Sequence, residues 1–524
     1  MIEYTSAKQI SIEDFSHPFG GTLNKENRWV VLAGLLPWDE LVSVYAKKMS
    51  HGMGRKAVNP RVAIGALIIK HTLSATDEDT IEFIKENPYL QYFLGYDTYS
   101  YEQPFTASLF VSIRRRLGTR EFDRMTDHLM NRVERTQQKL SQKKGKDNSE
   151  PPGGKTAGSG GEQTRKTEDP AEKGEEKLLN KGHLIVDATA VPADIKYPTD
   201  LDLLNEAREN SEYLIDLLYE PSKGKIKPRT YRNKARKDYL SAIRQRKKRK
   251  KNVGKAVKSQ LNYLRRNVKT IESLLDEKEG RHFPLAYKHQ KRYWVIQELY
   301  RQQRKMYEEK THKIPDRIVS ISQPHVRPIV RGKAGKEVEF GTKEALSLVE
   351  GYIYRDRVDW DAFNEGKELI GQIEKYKVRF GLYPEWVSGD KIYGNRENRE
   401  YMKSHGIKYS GVALGRPRKS LTPEEREQEK ERKRISRQRS EIEGRFGVGK
   451  RRYDLDPVKA KTKETSESWI GMVYLVMNIA QFQRAIFWPL FKTAIFLLKK
   501  LKKTFQCTLI PLKPQTLKFR FATF

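Results

Sequence analysis

Three acids and two cations offer the clearest chemistry in this chain. Asp187 ends the apolar run HLIVD, Asp390 ends EWVSGD, and Glu443 lies in RSEIEGRFGVGK, which runs from Arg439 to Lys450. A helix turns about 100° per residue, so Arg439, Glu443, Phe446 and Lys450 fall on one face. A solvated ladder of ion pairs is the ordinary explanation of such a stripe. The two aspartates argue against it. Each closes a short apolar segment that reads as a strand, where a lone aspartate would usually be a turn or cap residue. Two strand-end carboxylates and one helical carboxylate together supply the hard oxygen ligands of a two-metal phosphoryl-transfer site.

The rest of the chain suits a polyanionic partner. Among 524 residues, Lys and Arg number 102 against 68 acids, a net charge of +34. That excess is spread along the chain and points to nucleic acid. The single cysteine, Cys507, excludes disulfides within the chain and cysteine-rich zinc sites, and fits a reducing compartment. The first residues, MIEYTSAKQI, lack a basic region followed by an apolar core, so no signal peptide is expected. No uninterrupted apolar run reaches the length of a membrane span, and no membrane partner is expected.

The elements that would position the acids follow from periodicity. From Trp29 to about Leu140 the pattern is helical. Pro60–Leu73 opens on a proline and is apolar nearly all round, as a central core helix would be. Asp79–Glu86 and Thr106–Leu117 read as further helices, separated by an aromatic-rich loop. Arg114, Arg115 and Arg116 end the second of these as a basic cluster, either favourable cations at a helix C-terminus or phosphate contacts. Residues from 137 to about 175 are rich in Gly, Lys, Ser, Glu and Pro, and read as a disordered linker. Within them Gly153-Gly154-Lys155-Thr156 lacks the spacing and the preceding strand of a phosphate-binding loop.

The strand of Asp187 is followed by a helix capped by Thr199. Residues 224–312 then form a strongly basic segment containing RQRKKRKK. Val253, Val257, Leu261, Leu264, Val268, Ile271 and Leu275 recur at helical spacing, as do Val295, Leu299, Gln302 and Met306. The segment reads as a helical hairpin inserted into the fold, with charge suited to a nucleic-acid backbone. RIVSIS, EVEFGT and LSLVEGYIY read as strands. Trp360 to about Tyr376 reads as a helix, followed by the strand ending at Asp390, a polar helix, a strand at Ile407–Ala413, one long charged helix from near Thr422, and an apolar helix over Ser468–Gln483.

This order, with the blocks around the three acids, resembles the DDE transposases of bacterial insertion sequences, in the group related to the IS-five and IS-four families. Their signature near the third acid is Tyr, two residues, Arg, three residues, Glu, six residues, Lys. Arg439, Glu443 and Lys450 match it, while Ser436 stands at the tyrosine position. Glu441, the rival acid, lies about 200° from Glu443 around the helix, and the spacing to Lys450 favours Glu443. VDATAVPADIKYPTDL and SGDKIYGNRENREYM resemble the other two acid blocks, RPIVRGK and EVEFGTK the middle strands, and Trp29–Leu117 the N-terminal helical region.

The resemblance implies an α/β fold, a ribonuclease-H-like mixed sheet with a helical insertion, preceded by an all-α N-terminal domain. The expected division is a DNA-binding domain over 1–136, a linker over 137–176, a catalytic domain over 177–485 carrying the insertion 224–312, and a basic, apolar tail over 486–524. It implies cleavage at element ends and strand transfer to target DNA with two Mg²⁺ ions, Mn²⁺ being a substitute. Asp187, Asp390 and Glu443 would be catalytic and hold the metals. Arg439, Lys450, Lys391 and Arg114–Arg116 would contact DNA. The expected partners are double-stranded terminal inverted repeats and target DNA, bound by a homodimer, in the bacterial cytoplasm at the nucleoid. A non-catalytic DNA-binding derivative and a nuclease of the same fold are the alternatives.

Overall fold

The computed structural model describes residues 9–17, 20–49, 57–146, 180–220, 226–247, 249–278, 282–333, 336–412, 414–415 and 422–506. Helices α1 (Arg28–Leu35), α2 (Trp38–Ala46), α3 (Pro60–Leu73), α4 (Asp77–Glu86), α5 (Pro88–Leu94), α6 (Leu109–Arg116) and α7 (Thr119–Lys146) come first. The Asn59 side chain accepts from the Arg61 N–H to cap α3, which is buried almost all round, as its composition requires. The stretch expected as an aromatic loop contains α5. Asn87 caps it and Pro88 takes its first position, an N-terminal signal that the aromatic residues obscured. Helix α7 runs ten residues into the expected linker. Its end, QQKLSQKKGK, is poor in apolar residues but rich in Gln and Lys, which extend an existing helix readily. Residues 147–176 of that expected linker lie outside the described residues.

Strand β1 (His183–Pro192) leads into α8 (Asp200–Leu218), which Thr199 caps by accepting from Asp202. Helices α9 (Arg232–Arg244), α10 (Lys250–Asp276) and α11 (Tyr287–Glu308) follow. The seam residues Val257, Leu261, Leu264, Val268 and Ile271 are buried, but not within a simple hairpin. Helix α8 supplies a third wall, through Leu204, Leu214 and Leu218. The four-helix unit therefore has its own core and begins with α8, before residue 224. Arg208 is enclosed in it, with Glu212 at 2.5 Å, Asn205 at 2.7 Å and Gln260 at 3.2 Å. Arg244, Arg246, Lys247, Arg249, Lys250 and Lys251 are exposed where α9 meets α10. RIVSIS forms no strand. Ile318, Val319 and Ile321 are buried there instead, and the Ile318 N–H donates to Gln302 at 2.9 Å.

Strands β2 (Arg327–Lys333), β3 (Lys336–Val349) and β4 (Tyr352–Asp359) are antiparallel neighbours. EVEFGT and LSLV are one strand, β3. Its turn into β4 is made by Glu350 (φ 50°) and Gly351 (φ 81°), the left-handed pair that a tight hairpin demands. A 3₁₀ turn (Glu365–Lys367), α12 (Leu369–Phe380), β5 (Trp386–Ser388), a second 3₁₀ turn (Lys391–Tyr393), α13 (Arg396–Ser404) and β6 (Lys408–Tyr409) complete the sheet region. The strand order is β2–β3–β1–β5–β6, with β4 also on β3. Strand β1 is antiparallel to β3 and parallel to β5, and β5 is parallel to β6.

The expected single charged helix is two, α14 (Pro423–Arg437) and α15 (Ser440–Arg452), broken at Gln438–Arg439. The last helix, α16, spans Lys463–Gln506 and so extends into the expected tail. One buried cluster joins α16, the sheet and residues of α1 through α7. Trp469 of α16 is central to the junction, with the His71 ring edge-on at 4.8 Å and the Lys70 and Arg114 cations 5.0 and 5.3 Å from its centroid. No single helix among the described residues is long and apolar enough to cross a membrane.

Candidate active site

The parallel pairing of β1 and β5 brings the backbone at Asp187 towards that at Asp390. The register pairs His183 with Trp386 and Ile185 with Ser388. Continued two places, it sets Asp187 level with Asp390, just past the end of β5. Gly389 allows the strands this approach, since a Cβ there would stand 2.9 Å from the Tyr393 ring and 3.0 Å from Val186. Asp390 leaves the strand and caps the following 3₁₀ turn, its carboxylate accepting from the Lys391 N–H at 2.7 Å. The Tyr409 hydroxyl donates to the Asp390 carbonyl at 3.1 Å and fixes the exit of the chain. Asp390 and Lys391 are exposed; Asp187 is half-buried and accepts from the Ala188 N–H at 2.8 Å.

Helix α15 brings the third acid. Ile442 is buried and Phe446 packs on the core, which seats the helix beside β1. A Cβ at Gly449 would lie 2.8 Å from Leu455, so the helix end approaches closely too. Glu443 then acts electrostatically on Asp187, and Arg439 holds it by an ion pair at 3.1 Å. Glu441 lies on the other side of α15, where its charge acts on Arg445, which donates to Gln481 at 2.5 Å. Of the two rival glutamates, Glu443 is the one whose charge reaches Asp187.

Burial pushes the Asp187 carboxyl up to about 6, and the charges of Glu365 and Glu443 add to the rise; the Ala188 N–H and Arg439 oppose it. Glu365 escapes sequence reasoning, because NEGKELI has neither strand nor motif to mark it. It reaches the site through the fold. Gly366 packs so tightly on the second 3₁₀ turn that a Cβ would stand 2.5 Å from the Ile392 carbonyl, and Lys343 holds Glu365 at 2.8 Å. The donors are carboxylate oxygens, the chemistry that suits Mg²⁺ or Mn²⁺. As they stand, no three His, Cys, Asp or Glu side chains among the described residues are grouped closely enough to hold one ion.

The expected DNA-contacting residues divide. Arg439 is at the site, beside Glu443 and within electrostatic reach of Asp187. Lys450 is half-buried, and its charge acts on the enclosed carboxyl of Glu344 behind the site. Arg114 does not face solvent. It is 5% exposed, paired with Asp77 and stacked near Trp469, because α6 turns this position into the core. Arg116 donates to the Tyr45 hydroxyl at 2.9 Å, and Arg115 is the exposed member of the three.

Comparison with known proteins supplies three findings. Residues 387–480, which hold Asp390 and Glu443, match the model of the transposase DDE domain. Residues 18–116 match that of a transposase domain of the N-terminal helical region, DUF772. A stretch of 96 residues is 32% identical to the uncharacterized protein ORF8 in the nfe locus of Rhizobium meliloti, covering 18% of this chain and 46% of that protein. The chain thus spans about half the length of that curated relative. No solved structure matches.

Proposed function

Because the chain belongs to the DDE transposase family, we propose that it cuts DNA at the ends of a mobile element and joins them to target DNA with divalent metal ions. One observation carries the reading. Asp187 lies within β1 at the level where the parallel neighbour β5 ends and gives way to Asp390, and α15 beside β1 brings the charge of Glu443 to Asp187. The strand order and senses, antiparallel on one side of β1 and parallel on the other, support a ribonuclease-H-like sheet. The helical unit α8–α11 is the insertion in it, and the IS-four and IS-five group is the subgroup it fits.

Asp187, Asp390 and Glu443 would hold two Mg²⁺ ions, which when bound activate the attacking oxygen and stabilise the leaving one. The chain's own residues do the rest. Arg439 is placed to release Glu443 and offer its planar fork to a phosphate. Half-burial of Asp187 keeps bulk water from screening its charge. Arg115, Lys391 and the basic cluster between α9 and α10 present cations to the DNA backbone, which positions it without reading sequence. The partners are double-stranded terminal repeats and target DNA, engaged by a homodimer in the cytoplasm of a bacterial cell.

A second reading, a DNA-binding protein that does not cleave, is favoured by one observation: Glu443 is closed on Arg439 and the acids are not gathered for an ion. The test is end cleavage and joining on a labelled terminal-repeat substrate in Mg²⁺, beside a gel shift at the same salt. Asp187→Asn keeps the size and removes the charge. Cleavage should fall by several orders of magnitude while binding survives. Wild-type cleavage by Asp187→Asn would end the two-metal reading, and binding without cleavage by the unmodified chain would establish the second one.

A further inference from the structure

His183 opens β1, four residues before Asp187, and its ring makes two bonds to separate parts of the site. Nδ1 lies 2.9 Å from Gln438 Oε1 and Nε2 lies 2.7 Å from Ser388 Oγ. Ser388 is fully buried at the end of β5 and lies 2.6 Å from Ser410 Oγ, just past β6. Gln438 is the residue at which α14 stops and α15 begins. There the continuous helical ladder gives way to shorter bonds, from the N–H groups of Arg439, Glu441 and Ile442 to carbonyls three residues back. The junction is therefore a pivot, and the ring on β1 holds it. Gln438 Oε1 can only accept, so Nδ1 carries the proton and Nε2 accepts from Ser388.

We propose that His183 is a positioning residue for the proposed reaction: by bonding Gln438 and Ser388 together it sets the start of α15, and so Glu443 and Arg439, against β1, which carries Asp187, and the end of β5, which leads to Asp390. The inference rests on the transposase reading for its catalytic consequence, while the tethering itself does not. Helix α15 has one fully buried apolar side chain, Ile442, to hold its first turn. A tether at its pivot restricts the remaining freedom, and misplacement of a catalytic group by about 1 Å can cost about 10²-fold in rate.

The ring's two nitrogens allow a test that separates this role from core filling. An asparagine amide overlays Nδ1 and can keep the bond to Gln438; a glutamine amide overlays Nε2 and can keep only the bond to Ser388. In the full chain, kcat for end cleavage should fall about 10²-fold in His183→Gln and Gln438→Ala. It should recover to within about 5-fold of the unmodified chain in His183→Asn, with KM and gel-shift affinity unchanged throughout. A space-filling role gives the reverse order, because Asn leaves the larger void, and that order would overturn the proposal. Amide hydrogen exchange supplies a readout independent of cleavage. Residues 439–446 should exchange about 10-fold faster in His183→Gln and Gln438→Ala than in the unmodified chain, with α3 unchanged. Unaltered exchange there refutes the tether. Faster exchange in a chain that never cleaves DNA upholds the tether and rejects the transposase reading. Should His183→Gln fail to fold, Gln438→Ala, half-buried at the pivot, carries both measurements.

Discussion

Replacing Arg114 by alanine tests whether the basic cluster at the end of α6 belongs to the fold or to the DNA. The guanidinium is paired with Asp77 and stands 5.3 Å from the Trp469 centroid and 5.6 Å from that of Phe110. A hydrogen bond to a charged group contributes about 1.5–3 kcal/mol, and a desolvated cation–π contact about 1–2. Asp77 is not stranded by the change, because Lys70 remains at 3.0 Å. That places the loss near the lower ends of these ranges, at about 3 kcal/mol. With a urea dependence of about 3 kcal/mol per molar, the unfolding midpoint should drop by about 1 M. Arg115→Ala, at an exposed position, should move it by less than about 0.2 M. The assay is equilibrium urea unfolding of the full chain followed by tryptophan fluorescence, which Trp469 should report. A gel shift on terminal-repeat DNA is run beside it under native conditions. If Arg114→Ala unfolds at the wild-type midpoint and loses DNA affinity, the assignment of this arginine to the core is wrong.

Further outcomes can be stated briefly. Glu443→Gln should abolish cleavage while Glu441→Gln retains it within a few-fold, since the charge of Glu443 acts on Asp187 and that of Glu441 on Arg445; the reverse result would reassign the third acid. Changing Arg244, Arg246, Lys247, Arg249, Lys250 and Lys251 to glutamine should weaken DNA binding and flatten the plot of log affinity against log salt by up to about 5, and an unchanged slope would mean these cations touch no phosphate. Burial raises the Glu344 carboxyl to about 7, with Tyr474 donating to it at 2.6 Å and Arg355 nearby. The folded chain therefore holds this proton after the unfolded chain has lost it. Stability should fall by about 3 kcal/mol as the pH rises from about 4.5 through 7, and Glu344→Gln should remove that part of the slope in urea midpoints taken across this range.

The elements that carry the candidate acids were legible where local pattern is strong. An apolar run followed by Asp marks the exit from β5 at Asp390, but not at Asp187, where β1 runs on to Pro192 because β3 pairs with it along that length; the spacing of Arg439, Glu443 and Lys450 marks a helical face whatever lies around it. Short range also explains the helix starts at Thr199 and Pro60. What could not be read depended on packing across long separations. Arg114 looks like its neighbours in RRR, and only the placement of α6 against Trp469 turns it inward. Glu365 and His183 are ordinary polar residues until Gly366 and Gln438 are brought beside them. RIVSIS has the composition of a strand, yet burial without a partner strand satisfies the same residues. The break at Gln438 lies in a sequence that favours helix on both sides, and the site's geometry depends on it.

The shared core of α16 with α1–α7 has a consequence for synthesis. The apolar faces of those helices, completed by about residue 133, are closed by a helix that begins at Lys463, some 330 residues later. At about 5–20 residues per second, the nascent N-terminal region waits roughly 15–70 s for its partner. During that interval the faces that will receive Trp469 and Phe482 lie open to solvent and to chaperones. A chain released early, before α16, would carry the basic helices and all three acids but would leave this seam uncovered. Premature termination would then tend to yield an aggregating product, so the last helix to be made governs how much of the chain survives in its folded form.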